Sequence, residues 1–149
     1  MWSKTTEYAI RALVHVALSN QEGRRPGFRE IAESIDAPVQ FTAKILQSLS
    51  RAALVKSVRG RGGGFFFDDQ LPDLKISAVI RVLEGEKYFS DCVVGLKNCN
   101  PEHPCPLHDQ FSKIRNDLVT LAEKETIQAM ARKIAGGTAR LKREKDGVM

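Results

Sequence analysis

The sequence predicts a mainly α-helical fold with one small β-hairpin and a long helix near its C-terminal end. Three observations carry this. An amphipathic segment at 38–53 runs straight into a glycine-rich basic hairpin. Helical apolar periodicity recurs on both sides of that pair. A coiled-coil-like seam then steps through Leu107, Phe111, Ile114, Leu118 and Leu121.

The first predicted helix covers 4–19, with Tyr8, Ala9, Ala12, Leu13, Val16 and Ala17 on one apolar face. Glu7 and Arg11 lie four apart at its edge, and His15 reads as a packing or surface histidine. Residues 20–27 form a turn-rich loop in which Arg24 and Arg25 are either solvated or available to an anionic partner. A short helix at 28–35 turns Phe28, Ile31, Ala32 and Ile35 inward, and Asp36-Ala37-Pro38 separates it from the next. Pro38 suits a first helical position, where its missing N–H costs nothing.

In that next helix Phe41, Ile45 and Leu49 recur at i, i+4 and i+8, widened by Leu46 and Ala53. Gln40, Lys44, Gln47 and Arg51 share the opposite face, where such side chains reach base edges or phosphates. Leu54, Val55 and Val58 then lead into Arg59-Gly60-Arg61-Gly62-Gly63-Gly64, and Phe65, Phe66 and Phe67 lead out. Strand-like residues on both sides favour a hairpin tip over a flexible loop or a nucleotide-binding loop, which opens a helix. Glycines let the backbone approach a polyanion while two arginines point at it. A recognition helix followed by a basic wing is the winged helix-turn-helix pattern. Gln40, Thr42, Lys44, Gln47, Arg59, Arg61 and Gly62 are the candidate DNA-binding residues.

After an acidic turn, residues 75–84 form a helix burying Ile76, Val79, Ile80 and Leu83, with Gly85 expected as its left-handed cap. Residues 86–106 lose all period and hold the three cysteines, as Cys92-x6-Cys99-x5-Cys105, with His108 three residues beyond. Three thiolates and an imidazole on one loop suit a metal, and thiolates select zinc or an iron–sulfur cluster; spacing alone does not separate the two. His103, between Pro101 and Pro104, is a lesser candidate.

Helical period resumes at Leu107 and persists to about Ile134, with a phase shift at Glu125. One helix of that length exceeds what a small domain covers, so it is expected to pack against its copy in a homodimer, with folding back as an ordinary bundle helix the alternative. The organisation expected is a DNA-binding domain at 1–75, a sensing loop and dimerisation helix at 76–135, and a basic disordered tail at 136–149. A net charge of +5 and a pI near 9.3 fit a polyanionic partner. The apolar runs are too short to span a membrane, and the start lacks a signal-peptide core, so a cytoplasmic location is expected. Nothing resembles a nucleophile–base pair or paired catalytic carboxylates, so an enzyme is not expected.

Taken together, the TTEYAIRAL start, LVKSVRGRGGGFFF and the three-cysteine loop resemble the Rrf-type bacterial transcription regulators, which include IscR-like and NsrR-like members. The resemblance implies a homodimer on a pseudo-palindromic double-stranded operator and, with it, a regulator, expected to be a repressor. Its operator affinity would be controlled by an iron–sulfur cluster, two-iron or four-iron, that senses nitric oxide, redox state or iron–sulfur status. It implies Cys92, Cys99 and Cys105 as ligands. It implies a fourth ligand at His108, as in IscR-like proteins, or at Glu7 of the other subunit, as in NsrR-like proteins; the reading leans to Glu7. Here Cys92 and Cys99 stand one residue further apart than in the best-known members. Ala43 replaces an acidic residue of IscR-like recognition helices. The alternatives are a DNA-binding regulator with zinc or no metal, and a cluster-based electron-transfer protein.

Overall fold

The computed structural model describes residues 1–141; the predicted basic tail lies partly outside them, including Lys142, Arg143 and Lys145. The elements in order are α1 (Lys4–Gln21), α2 (Phe28–Ser34), α3 (Val39–Arg51), β1 (Lys56–Val58), β2 (Gly64–Phe66), α4 (Ile76–Glu84), α5 (His108–Lys124) and α6 (Ile127–Ala135). None of the described helices is long and apolar enough to cross a membrane.

Helix α1 is the central rod. Its Ser3 cap accepts the Thr6 N–H, and Ala9, Leu13, Val14 and Val16 are fully buried. The carboxylate of Glu84, at the end of α4, takes the Ser3 N–H at 2.8 Å and the Thr6 hydroxyl at 2.7 Å, tying α1 to α4. Helices α2 and α3 pack on α1 through Ile31, Leu46 and Leu49. Phe28 does not turn inward as expected; it opens α2 and is 38% exposed. Pro38 caps α3 rather than occupying its first turn, and Ala53 lies beyond the helix end at φ 60° instead of on its apolar face.

The hairpin strands run antiparallel in the register Lys56↔Phe66, Ser57↔Phe65 and Val58↔Gly64. Beyond α4, Gly85 has a positive φ of 102° but an extended ψ of 157°. It therefore does not close the helix as a left-handed cap; it throws the chain outward into the cysteine loop.

The helix expected from Leu107 to about Ile134 is two helices. Glu125 adopts an extended conformation, and Thr126 caps a new helix by accepting the Ala129 N–H at 3.0 Å. The start of α4 takes up the freed backbone groups: Ile76 N–H donates to Glu125 O at 3.0 Å and Ile127 N–H to Leu74 O at 2.8 Å. Helix α6 then folds back on α1 and buries Ile127 and Ala131. Helix α5 is the long C-terminal helix of the fold. It packs on α4, where Arg81 pairs with Glu123 at 3.1 Å, and buries only Ala122 fully.

Candidate functional site

Two surfaces emerge, at opposite ends of the chain's chemistry. On the first, Gln40, Lys44, Gln47 and Arg51 are all exposed on α3. Thr42 is not among them. It is 1% exposed, and its hydroxyl donates to Pro38 O at 3.0 Å, bracing the first turn. Its side chain therefore faces the core, which removes it from the exposed face. Arg59 and Arg61 are exposed on the hairpin tip beside Gly62, and among the described residues neither is held in an ion pair. Arg24 contrasts with them: Glu30 holds it at 2.8 Å and Glu22 at 3.4 Å. The Arg25 guanidinium carbon sits over the Phe66 ring, 4.0 Å from its centroid.

The second surface is the cysteine loop. Cys92, Cys99 and Cys105 bring their sulfurs within 4.8 Å of one another. Cys92 Sγ is 3.7 Å from Cys105 Sγ, and Cys99 Sγ is 3.2 Å from His108 Nδ1. Backbone geometry makes this possible. His108 opens α5, and its N–H donates to Cys105 O at 3.0 Å, so the third cysteine and the histidine share one turn. Arg115, two α5 turns further on, donates to Asp91 O at 2.6 Å and pins the loop beside Cys92.

The thiols are electrostatically unlike. The backbone N–H of Leu96, and after it that of Val94, hold Cys92 down to about 7 against the opposing effect of burial. At Cys99 the Cys105 N–H favours the thiolate. Burial and the neighbouring Cys105 and Cys92 outweigh it and push Cys99 up. Three soft sulfur donors on a tight triangle, beside an imidazole, form a donor set suited to zinc or to an iron–sulfur cluster.

Glu7 stands apart. It is exposed on α1 and paired with Lys4 at 3.0 Å, which holds its carboxyl below the usual range, and no contact among the described residues joins it to the cysteine loop. His103 is exposed on the loop's outer turn, where its N–H meets Asn100. Sequence reasoning missed Asn20, Glu84 and Arg115, each of which makes polar contacts to segments 24 to 81 residues away. Local patterns carry no signal for such pairs.

Comparison with known proteins agrees with this geometry. A family model described as Rrf2, iron-dependent transcriptional regulator, matches residues 2–133. The chain is 31% identical over 105 residues to the HTH-type transcriptional repressor NsrR of Streptomyces coelicolor, covering 70% of this chain and 66% of that protein. It is 30% identical over 131 residues to protein aau3 of Rhizobium meliloti, covering 87% of this chain and 84% of that one. Among solved structures, CymR of B. subtilis superposes with a TM-score of 0.72 at 23% identity, covering 89% of this chain and 96% of that one. IscR of T. potens does so at 0.71 and 23% identity, covering 95% and 93%. Those two likenesses speak for the winged-helix fold. The matched length and the identity to the curated relatives say more: this chain is a DNA-binding transcriptional regulator, not an enzyme, and it belongs to the Rrf2 family.

Proposed function

We propose that this chain is a cytoplasmic, homodimeric repressor whose operator affinity depends on an iron–sulfur cluster held by Cys92, Cys99 and Cys105. The observation that carries the reading is the convergence of the three sulfurs within 4.8 Å, on a loop with little other reason to gather them. His108 supports it as fourth ligand, because its Nδ1 already stands 3.2 Å from Cys99 Sγ. That proximity moves the preference from Glu7 to His108. Glu7, exposed on α1, remains the ligand a second subunit would supply. A bound cluster would supply a redox-active centre open to oxygen or nitric oxide.

The residues of the chain do the rest. Gln40, Lys44 and Gln47 would meet base edges in the major groove, and Arg59 and Arg61, with the backbone at Gly62, the flanking phosphates or minor groove. The division into a DNA-binding part at 1–75 and a sensing and assembly part beyond it follows from the same assignment. The apolar stripe of α5 supports assembly. Ile114 is 53% exposed and Leu121 48% exposed, apolar surface on one stripe that a second subunit would cover.

Anaerobic purification tests the centre. The expected protein is brown, with visible absorption that nitric oxide or oxygen alters, and operator binding changes with it. His108→Ala is expected to lose cluster and operator response while Glu7→Ala keeps both. A colourless zinc protein overturns the cluster. Loss on Glu7→Ala with retention on His108→Ala transfers the fourth ligand to the partner subunit.

A further inference from the structure

The hairpin is too short to hold its own direction. Its strands are three residues each, and an isolated two-stranded ribbon of that size is not stable in water. Something outside it must fix where Arg59 and Arg61 point. β1 satisfies one edge of β2. The other edge presents Phe65 and Phe67, whose backbone groups need partners.

The end of α1 supplies them. Asn20 Oδ1 accepts the Phe67 N–H at 2.9 Å, and its Nδ2 donates to Phe65 O at 3.3 Å and to Arg24 O at 2.9 Å. One primary amide thus acts as a peptide group laid along the strand edge, offering an acceptor and two donors. Pro26 O accepts the Phe65 N–H at 2.9 Å and completes the edge. The joint is close. A Cβ on Gly64 would fall 2.2 Å from Arg25 O, a backbone atom that cannot step aside, and Gly64 has φ 140°. The Arg25 guanidinium closes over Phe66 on the outside.

We infer that Asn20 is a positioning residue for DNA binding: it fixes the wing to the end of α1 and so sets the placement of Arg59 and Arg61 relative to α3. The inference rests on the reading of those two arginines as DNA contacts. Asn20 itself need not touch DNA; its effect passes through the wing.

A double-mutant cycle tests it. Wild type, Asn20→Ala, Arg59→Ala/Arg61→Ala and the triple variant are titrated by fluorescence anisotropy over a range of salt. The probe is a duplex that the wild-type protein selects from a random-sequence pool. Circular dichroism confirms folding at the assay temperature. Asn20→Ala is expected to weaken binding about tenfold and to lower the salt slope by about one, as if a phosphate contact were lost. In the Arg59→Ala/Arg61→Ala background the same change is expected to cost less than about twofold, because nothing remains for Asn20 to position. A general loss of structure would instead weaken both backgrounds alike. Should Asn20→Ala unfold, Asn20→Ser is carried through the same cycle and read by the same criterion. Weakened binding by the arginine variant beside an unaffected or additive Asn20 variant overturns the inference alone. Unchanged binding by the arginine variant overturns the wing reading and the inference with it.

Discussion

Helices α5 and α6 come from one stretch of helical periodicity and use it in opposite ways. Helix α5 has 17 residues and fully buries one, Ala122. Helix α6 has nine and fully buries two, Ile127 and Ala131, against α1. Apolar spacing alone does not distinguish them. A helix whose stripe is covered within the chain holds up the domain. One whose stripe stays open, with the three cysteines just before it, leaves apolar surface uncovered by its own chain.

The largest test of that contrast is Ile127→Ala. Ile127 is fully buried, so truncation leaves a cavity and should cost about 2–5 kcal/mol. The expected result is a large fall in thermal midpoint at every protein concentration. A change within about 0.5 kcal/mol, the range of an ordinary surface position, would mean that α6 is not part of the core.

Leu121→Glu sharpens the other side. Leu121 is 48% exposed on α5, so a carboxylate there costs the single chain little. In a subunit seam it is stranded in apolar surroundings, at a cost of several kcal/mol. With the proposed dimer as the wild-type state, sedimentation should find the variant as folded monomers, with a dissociation constant raised about a hundredfold or more. A dimer of unchanged affinity would place the seam elsewhere.

These contrasts also mark what was legible. Helix α3 and the wing were, because their signals are local: a 3.6-residue period, then β-formers around a glycine tip. Thr42 was not, because a short polar side chain reads as surface until its hydroxyl is seen bonding to Pro38 O within its own turn. The cysteines could be read as a group from spacing and chemistry. The placement of His108 against Cys99 needed the turn that α5 makes at its start. The phase shift at Glu125 hinted at the break between α5 and α6. Its cause lies at Leu74 and Ile76, some fifty residues earlier, whose backbone groups pair with Ile127 and Glu125. Asn20 carried no sequence signal, since its partners are on a strand that only folding brings near.

The smallest effect concerns that break. Thr126 accepts the Ala129 N–H at 3.0 Å and caps the start of α6. Removing an N-cap threonine costs about 1 kcal/mol. For a chain of this size that corresponds to a fall in thermal midpoint of about 2–4 °C. Thr126→Ser keeps the capping oxygen and should stay near wild type. The break should survive Thr126→Ala, because three other bonds hold it. Ile76 N–H meets Glu125 O, Ile127 N–H meets Leu74 O, and Gln128 Oε1 accepts the Leu74 N–H at 2.8 Å. Fusing α5 and α6 would forfeit all three and draw Ile127 and Ala131 away from α1. Helical content by circular dichroism should therefore stay level in the alanine variant while the midpoint drops. A rise in helicity would mean that one long helix lies close in energy to the broken pair, and that the cap alone separates the helix that supports the domain from the helix left open to a partner.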